Sequence, residues 1–593
     1  MVLSVMMKVS LRSVGTAFAL TVLLLASGCH RHRKSKSAPN TTAYSDNLHE
    51  LVQKKALPPE KVDTTKVPNL RWPNFSDYET IVATFYDDRN YEVAWTRDGV
   101  PTPSATAFIE QFRNADAKGL IPEDYDAPRW ADRAQALNSK SADAISLFDV
   151  AMTVNVMRYI SDLRIGRVNP SHFNFEVPVQ DKKYDLAEFV SDNAVDATDI
   201  PKLIAGVEPD SEEYRKTEAA LVHYISLAKA QQEVHLEPLP MVTKALNVGD
   251  AYPAVDELEQ RLFFEGDGQM TAAVAGVLPR GITKVASDGL RHYQHRHGFT
   301  EDGKLTPQTI KSLNVPMTYR VTQLQDSLER WRWLPDPYLH ARLMVNLPEF
   351  VLRGFDPDHK LDFTMRVVVG KVMGQHETPV FTHMMKYLVF RPYWSVPVDI
   401  ARKELVPHME ASHGYLASKN FEVTNNKGMV LTDYTAKQVA QGAVMVREKP
   451  GPKNSLGLVK FIFPNQYDIY LHSTPAVSLF EQTRRDFSHG CIRVQKPADL
   501  AAWVLQGQGG DWDLDKVQTA MNSGPDNRTV SLKTPLPIVI FYLTAIVVDD
   551  DEVHFFDDIY NYDSEMQQVF AKGPPYPIKP TPIEPKTKPG DTV

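Results

Sequence analysis

Long apolar segments are scarce in this 593-residue sequence. The clearest one, residues 14–26, is shorter than the roughly 20 residues that a transmembrane helix needs. A strongly basic domain is also lacking: the net charge is -9, and no domain is basic enough to indicate a nucleic-acid-binding protein. Because 43% of the residues are hydrophobic and 23% are charged, most of the chain can form ordinary globular cores.

The sequence contains only two cysteines, Cys29 and Cys491. Cys29 ends a stretch that has a basic start at Lys8 and Arg12, then the apolar run, then a small residue just before the cysteine. This order resembles a bacterial lipoprotein signal. We therefore predict a signal peptide at residues 1–28, lipidation of Cys29 and a periplasmic protein anchored to a membrane. A plain signal peptide or an uncleaved anchor is the alternative.

Cys491 has no disulfide partner if Cys29 is acylated, and an exported free thiol is exposed to oxidation. A lone cysteine is usually a buried, inert thiol, so its neighbours must decide its role. His472 ends a strand-like run, and His489 lies two residues before the cysteine. A thiol attacks a carbonyl as the thiolate, which needs a nearby base or positive field. The N–H groups around Gly490 and Cys491 are candidate oxyanion donors. Spacing alone leaves open whether this neighbourhood is catalytic or fortuitous.

Periodicity divides the rest of the chain. Apolar residues at helical spacing dominate the first half, whereas short strand-like runs dominate after residue 335. In chain order, the predicted parts are the signal peptide (1–28), a flexible tether (29–70), a helical domain (71–240), a small three-helix domain (241–317), a linker helix (318–335), a mostly-β domain (336–572) with an insertion at about 399–450, and a Pro-rich disordered tail (573–593).

The small domain contains three histidines, His292, His295 and His297, which raise the question of zinc. Their spacing matches no common zinc motif, and no cysteine or carboxylate completes a set, so we predict no metal. The sequence reads Tyr-Gln-x-x-His-Gly from Tyr293 and continues to Asp-Gly at residues 302–303. This arrangement resembles the small three-helix peptidoglycan-binding domain. Glycan binding and a purely scaffolding role are both open.

The string from His472 to Arg493 is the most informative part of the sequence. A histidine, fifteen residues and then Ser-His-Gly-Cys resemble the signature of the L,D-transpeptidase catalytic domain. Arg493 stands where the commonest form has asparagine, as in the large Gram-negative members of the family. Boxes at residues 328–335, 346–350, 391–397 and 449–457 also resemble that subfamily, so the similarity runs from about residue 72 to 563.

The resemblance implies a multidomain fold. It consists of an α-helical scaffold domain, a small three-helix peptidoglycan-binding-like domain, and a mostly-β L,D-transpeptidase catalytic domain with an inserted capping subdomain. The resemblance also implies that Cys491 is the nucleophile and His472 the general base. Ser473 takes the place of the third catalytic member, whose backbone carbonyl orients the imidazole. His489 and Gly490 shape the oxyanion site. The predicted substrate-binding residues are Arg493, Ser488, Tyr470, Asn454 and Trp394.

The implied reaction is a two-step acyl transfer that needs no cofactor. Cys491 attacks the L,D bond between the third and fourth residues of a peptidoglycan stem peptide and expels D-alanine. An amine on the third residue of a neighbouring stem then takes the acyl group, which gives a 3-3 cross-link. The implied partners are stem peptides, glycan, a membrane and cell-wall synthases. Hydrolysis by an L,D-carboxypeptidase or endopeptidase, attachment of a lipoprotein to peptidoglycan, and non-enzymatic wall binding are the alternatives.

Overall fold

The computed structural model describes residues 42–53, 67, 70–234, 237–269, 281–372, 376–412, 414–547 and 551–576. The predicted signal peptide, Cys29, and most of the predicted tether and tail lie outside these residues. Across the described ranges, no helix combines the length and the apolar character needed to cross a membrane. The described residues pack into four hydrophobic cores, which belong to the helical domain, the small domain, the β domain and its insertion.

The helical domain is built around one long helix, Ala142–Ile165. The hydroxyl of Ser141 caps the start of this helix by accepting a backbone hydrogen bond. Most residues of the helix are buried because shorter helices surround it. Large rings such as Trp95 and Trp130 fill the space between the helices. The surrounding α-helices are Thr42–Gln53, Glu79–Asp88, Pro103–Arg113, Trp130–Ala136, Leu186–Phe189 and Ile200–Val207.

The helix Thr42–Gln53 lies within the segment that the sequence predicts as a flexible tether. Leu48 and Val52, one turn apart, are buried against the core of the helical domain. Two apolar residues at this spacing form a stripe that packing stabilises. The prediction of a flexible segment is therefore wrong for these residues. Tyr576, at the start of the predicted tail, also packs against the protein through Phe570.

In its described residues, 241–269 and 281–317, the small domain has the helices Val255–Phe264, Lys284–Arg296 and Pro307–Leu313. Its histidines do not form one cluster. His292 contacts two carboxylates, and His295 contacts a third. In the part of the chain that the structure describes, no group of three His, Cys, Asp or Glu side chains is arranged to ligate a metal.

The region from residue 336 onward is a mostly-β domain whose main sheet closes on itself. Its strands are β1 (Leu343–Asn346), β2 (Val351–Phe355), β3 (Leu361–Gly370), β4 (Phe381–Phe390), β5 (Val459–Ile462), β6 (Leu471–His472), β7 (Asp486–Ser488), β8 (Ile492–Val494) and β9 (Arg528–Phe541). They pair in the order β7-β3-β8-β6-β5-β4-β9-β1-β2, and a second pairing of β2 with β3 closes the ring. The parallel pairs are β6 with β8, β3 with β7, and β1 with β9.

Helices and a hairpin complete this domain. Helices Pro497–Leu505 and Leu514–Asn522 connect β8 to β9. After β9, the strands Ala545–Val547 and Val553–Phe555 pair, and the C-terminal helix Tyr562–Phe570 follows. The helix Glu212–Val234 also packs against the core of this domain, through Leu221 and Tyr224.

An inserted subdomain interrupts the chain between β4 and β5, which are antiparallel neighbours in the sheet. The subdomain has its own core, which includes Val423 and Val446. Its strands pair in the order Trp394–Ser395, Met445–Glu448, Phe421–Thr424 and Val430–Leu431. Its helices are Val398–Ile400, the π-helix Ala401–Leu405, Val406–Ala411, Tyr415–Ser418 and Ala436–Ala440.

The predicted linker is a buried helix, Met317–Trp333, here called the central helix. Glu329 is fully buried and accepts a hydrogen bond from the backbone N–H of Arg167, just after the long scaffold helix. Arg330, also fully buried, pairs with Asp563 of the C-terminal helix at 2.6 Å. A buried charge without a partner is costly, so these pairs tie the scaffold and the C-terminal helix to the central helix.

Gly166 allows the scaffold to approach the central helix. Its φ is +82°, and a Cβ here would lie 2.7 Å from Nε1 of Trp333 and 2.8 Å from Oε1 of Glu329. We expect Gly166→Ala to destabilise the protein by about 2 kcal/mol, because it adds both a clash and an unfavourable φ. Its thermal midpoint, followed by circular dichroism, should fall by several degrees.

The matched control is Gly206→Ala, in the helix Ile200–Val207, where a Cβ meets nothing within 4 Å. This change should leave the midpoint unchanged or raise it slightly, since alanine favours helices. Equal midpoints for the two variants would show that the close contact at Gly166 does not constrain the packing of the scaffold on the central helix.

Candidate active site

Two short parallel strands, β6 and β8, fix the register of the predicted catalytic residues. Leu471 lies opposite Ile492, and His472 lies opposite Arg493. Leu471 and Ile492 are fully buried in the core of the β domain. Because side chains alternate between the two faces of a strand, His472 and Arg493 share the opposite face.

The residues just before these pairs continue the same ladder. The N–H of Ile492 donates to the carbonyl of Tyr470 at 3.1 Å, so Cys491 follows the same register. By the same alternation, Tyr470 and Cys491 lie on the face that carries His472 and Arg493. The ring centroids of Tyr470 and His472 are 5.9 Å apart. These four side chains form what is called here the polar face.

Lys460 joins the polar face from the neighbouring strand β5, where it pairs with His472. Its ammonium nitrogen lies 5.5 Å from the centre of the Tyr470 ring. Burial lowers the pKa of Lys460. The sequence-based predictions missed this residue. The sequence feature that could have indicated Lys460 is its position between two apolar residues, Val459 and Phe461, in an alternating strand. Both neighbours are fully buried in the structure.

The imidazole of His472 is buried and held in one orientation. Its Nδ1 lies 2.5 Å from the backbone carbonyl oxygen of Ser473, so Nδ1 carries the proton and Nε2 can accept another. Burial is the main cause that lowers the pKa of His472 to about 3, and the positive charge of Arg493 lowers it further. The imidazole is therefore neutral at physiological pH, which is the form that a general base needs.

The thiol of Cys491 is half-buried, and its sulfur lies 3.6 Å from the backbone carbonyl oxygen of Asp468. Burial raises the pKa of Cys491 to about 11, although hydrogen bonds from Tyr470 act in the opposite direction. A thiol, and not a standing thiolate, therefore occupies the site at neutral pH. The proton must leave the sulfur during attack on a carbonyl, and a neutral imidazole is suited to accept it.

The turn before Cys491 is held from both sides. The N–H of Gly490 donates to the hydroxyl of Ser488 at 3.1 Å, and the carbonyl of Gly490 accepts from the hydroxyl of Thr378 at 2.7 Å. Gly490 has a φ of +115°, a conformation that favours glycine. Of the two N–H groups predicted as oxyanion donors, Ser488 occupies that of Gly490, which leaves that of Cys491. Ser488 is predicted to bind substrate. In the structure it is buried, and its hydroxyl supports the turn.

His489 lies against the inserted subdomain. Its Nε2 is 2.8 Å from Oε1 of Glu404, in the π-helix of that subdomain. Its ring centroid lies 5.0 Å from that of His376, which follows β3. His489 therefore connects the turn before Cys491 to the subdomain, in addition to its predicted place beside the oxyanion site.

Two predicted substrate-binding residues support the site from outside the polar face. Asn454 is fully buried, and its amide oxygen accepts from the N–H of Leu456 at 2.8 Å. The backbone of Leu456 acts to raise the pKa of His472, so Asn454 shapes a loop that lies close to the imidazole. Trp394 belongs to the inserted sheet, where its ring packs 6.5 Å from that of Phe421.

Comparison with known proteins identifies two of the domains. Residues 340–530 match the family model described as an L,D-transpeptidase catalytic domain, and residues 80–221 match a scaffold domain. A Haemophilus influenzae protein named "Putative L,D-transpeptidase" is 30% identical over 273 residues, which cover 45% of this chain and 54% of that protein. The chain therefore spans about half the length of this curated relative.

The chain also matches a solved structure at low sequence identity. The crystal structure of an L,D-transpeptidase, residues 123–326, from Xylanimonas cellulosilytica is 12% identical. The match covers 51% of this chain and 100% of that chain, with a TM-score of 0.15. At this TM-score the comparison adds nothing to the fold, which is established by the strands and their pairing.

The raised pKa of the thiol predicts how Cys491 reacts with an alkylating agent. Because the pKa is about 11, the thiolate fraction should increase about tenfold per pH unit from pH 7 to 10. The rate of Cys491 alkylation by iodoacetamide, measured by peptide mass spectrometry, should rise in parallel. The same peptide in denatured protein should level off near pH 9. A plateau below pH 8 in the folded protein would show that the site holds a thiolate.

Proposed function

Because the chain contains a scaffold domain and an L,D-transpeptidase catalytic domain, we propose that it is a cysteine-dependent L,D-transpeptidase that forms 3-3 cross-links in peptidoglycan. The observation that carries this proposal is the register of β6 and β8, which puts Cys491, His472 and Arg493 on one face. A nucleophile, a neutral base and a cation in one place are the groups that acyl transfer from an anionic peptide requires.

In the first step, the sulfur of Cys491 attacks the carbonyl of the third stem residue while its proton passes to Nε2 of His472. The carbonyl oxygen becomes negative and accepts a hydrogen bond from the N–H of Cys491. The intermediate collapses, the bond to D-alanine breaks, and His472 returns the proton to the leaving amine. A thioester remains on Cys491, so the energy of the peptide bond is conserved without ATP.

In the second step, an amine on the third residue of a neighbouring stem attacks the thioester. His472 takes a proton from this amine as the new amide forms and returns it to the departing sulfur. A neutral imidazole is needed at the start of both steps. The cations Lys460 and Arg493 support this state, because each lowers the pKa of His472.

Water competes with the amine for the thioester, and its high concentration favours hydrolysis. A transferase overcomes this advantage by positioning, since a well-oriented amine can reach an effective concentration of about 10⁵ M or more. The inserted subdomain supports such positioning, because Glu404 ties it to the catalytic turn through His489. We propose that the subdomain caps the donor stem and keeps water away from the thioester.

The proposed substrate requires an exported enzyme. We propose a periplasmic protein held to a membrane by lipid on Cys29, a proposal that rests on the sequence of residues 1–29. We further propose contact with glycan through residues 241–317 and with cell-wall synthases. Mass spectrometry of the native N-terminal peptide tests the anchor, and cleavage elsewhere without lipid would refute it.

The main test of the function is to incubate the purified protein with a tetrapeptide stem and analyse the products by mass spectrometry. A 3-3 linked dimer and free D-alanine should dominate. Cys491→Ser and His472→Ala should each reduce turnover by roughly 10³-fold or more, because the two groups act as one unit. Free tripeptide as the main product at every acceptor concentration would identify a carboxypeptidase instead. If His489→Ala abolishes turnover and His472→Ala does not, the base is His489.

The same assay tests the cap. Glu404→Gln removes the charge that contacts His489, so we expect the share of hydrolysed product to increase severalfold while the protein stays folded. Glu410→Gln, an exposed acid in the helix Val406–Ala411 of the subdomain, is the matched control. An identical product ratio in both variants would limit the subdomain to a structural role.

A further inference from the structure

Thr378 and Tyr560 hold the turn that carries Cys491, although neither lies on the polar face. The Thr378 hydroxyl donates to the carbonyl of Gly490 at 2.7 Å and accepts from the N–H of Gly370 at 2.8 Å. The Tyr560 hydroxyl donates to the carbonyl of Gly370 at 2.6 Å and accepts from the N–H of Thr378 at 3.3 Å. Both side chains are buried, so solvent does not compete for these hydrogen bonds.

The peptide bond between Gly490 and Cys491 couples the direction of the Gly490 carbonyl to the direction of the Cys491 N–H. A trans peptide is planar, so its C=O and its N–H point to opposite sides. Thr378 holds the carbonyl on the buried side, and the N–H of Cys491 therefore points away from the core. Among the residues that the structure describes, this N–H has no hydrogen-bond acceptor, whereas the N–H of Gly490 is taken by Ser488.

Because Gly490 is flexible, another contact must fix the orientation of the peptide between Gly490 and Cys491. A glycine at a φ of +115° can rotate the adjoining peptide at little steric cost, and a rotated peptide would turn the N–H of Cys491 inward. The Thr378 hydroxyl opposes this rotation, because a buried carbonyl that loses its donor is left unpaired. The contact thus selects one of two orientations of the peptide that adjoins the nucleophile.

We propose that Thr378 is a positioning residue for the oxyanion donor. By holding the Gly490 carbonyl, it keeps the N–H of Cys491 aimed at the oxygen that becomes negative when the sulfur attacks a carbonyl. Tyr560 anchors this arrangement from beyond residues 340–530, the range that matches the catalytic domain. The C-terminal segment is then part of the catalytic apparatus. This inference rests on the proposed acyl transfer at Cys491, but not on the identity of the acyl donor.

A purely structural role for Thr378 makes a different prediction, because a displaced turn would impair every reaction of the thiol. Two probes separate the roles. When the sulfur attacks the carbonyl carbon of p-nitrophenyl acetate, an activated ester, the carbonyl oxygen becomes an oxyanion. Attack on iodoacetamide displaces iodide at a saturated carbon and produces no oxyanion. The ratio of the two rates at Cys491, corrected with a Cys491→Ala background, reports the oxyanion donor alone.

The experiment compares the wild-type protein with Thr378→Val, which keeps the shape and loses the donor, and Thr378→Ser, which keeps the hydroxyl. Thr378→Val should lower the ester rate by roughly 10- to 100-fold and change the iodoacetamide rate by less than about twofold. Thr378→Ser should restore the ester rate to within about threefold of wild type. Equal losses with both probes, an unchanged ester rate in Thr378→Val, or no rescue by serine would overturn the inference.

If Thr378→Val does not fold, the two rates are measured in Tyr560→Phe instead. A selective loss of the ester rate would support the inference, and an unchanged ratio of the two rates would overturn it. The proposed function is judged separately, with stem peptide. A wild-type protein that reacts with the ester and never with the stem peptide would contradict the function, while the ratio in the variants would still decide the role of Thr378.

Discussion

The register of two very short parallel strands is the constraint on which the candidate site depends. His472 is opposite Arg493, and Leu471 is opposite Ile492. Because the side-chain period of a strand is two, a slip of one residue would turn the polar face into the apolar core of the β domain and turn the apolar side chains away from it. The deep burial of Leu471 and Ile492 therefore fixes the register, and the core of the β domain positions the polar face indirectly.

The burial that fixes the geometry also sets the chemistry. It disfavours the charged forms of both reactive groups, so His472 is a neutral imidazole and Cys491 a neutral thiol at rest. Such a site carries no standing thiolate at neutral pH. Reaction then depends on a substrate carbonyl, because only attack on that carbonyl makes proton transfer from sulfur to nitrogen favourable.

Much of the fold and the centre of the site could be predicted from the sequence. The helical first half, the mostly-β second half and its insertion follow from periodicity and family resemblance. The string around Cys491 predicts Cys491 as nucleophile and His472 as base, and the register of β6 and β8 puts both on one face. Periodicity did not predict that the helix Thr42–Gln53 would pack on the scaffold, because its apolar stripe is short and its flanks are polar. Alternation along β5 could have indicated Lys460.

Contacts made through the backbone could not be predicted. Thr378 and Gly490 are 112 residues apart, and their contact joins a hydroxyl to a main-chain carbonyl, which no side-chain pattern records. Asn454 is predicted from the family resemblance to bind substrate, but its amide is fully buried and shapes the loop close to His472. The direction of the thiol's pKa shift likewise depends on burial, which emerges only once the chain is folded.

The claim that acyl transfer runs through Cys491 is tested most directly by intact-protein mass spectrometry after rapid mixing with a tetrapeptide stem. The account predicts a transient increase in mass equal to the tripeptide acyl group, located on the peptide that contains Cys491 and released by hydroxylamine as a thioester is. His472→Ala should accumulate far less of this adduct. Product formation without any adduct, or an adduct on another residue, would contradict the account.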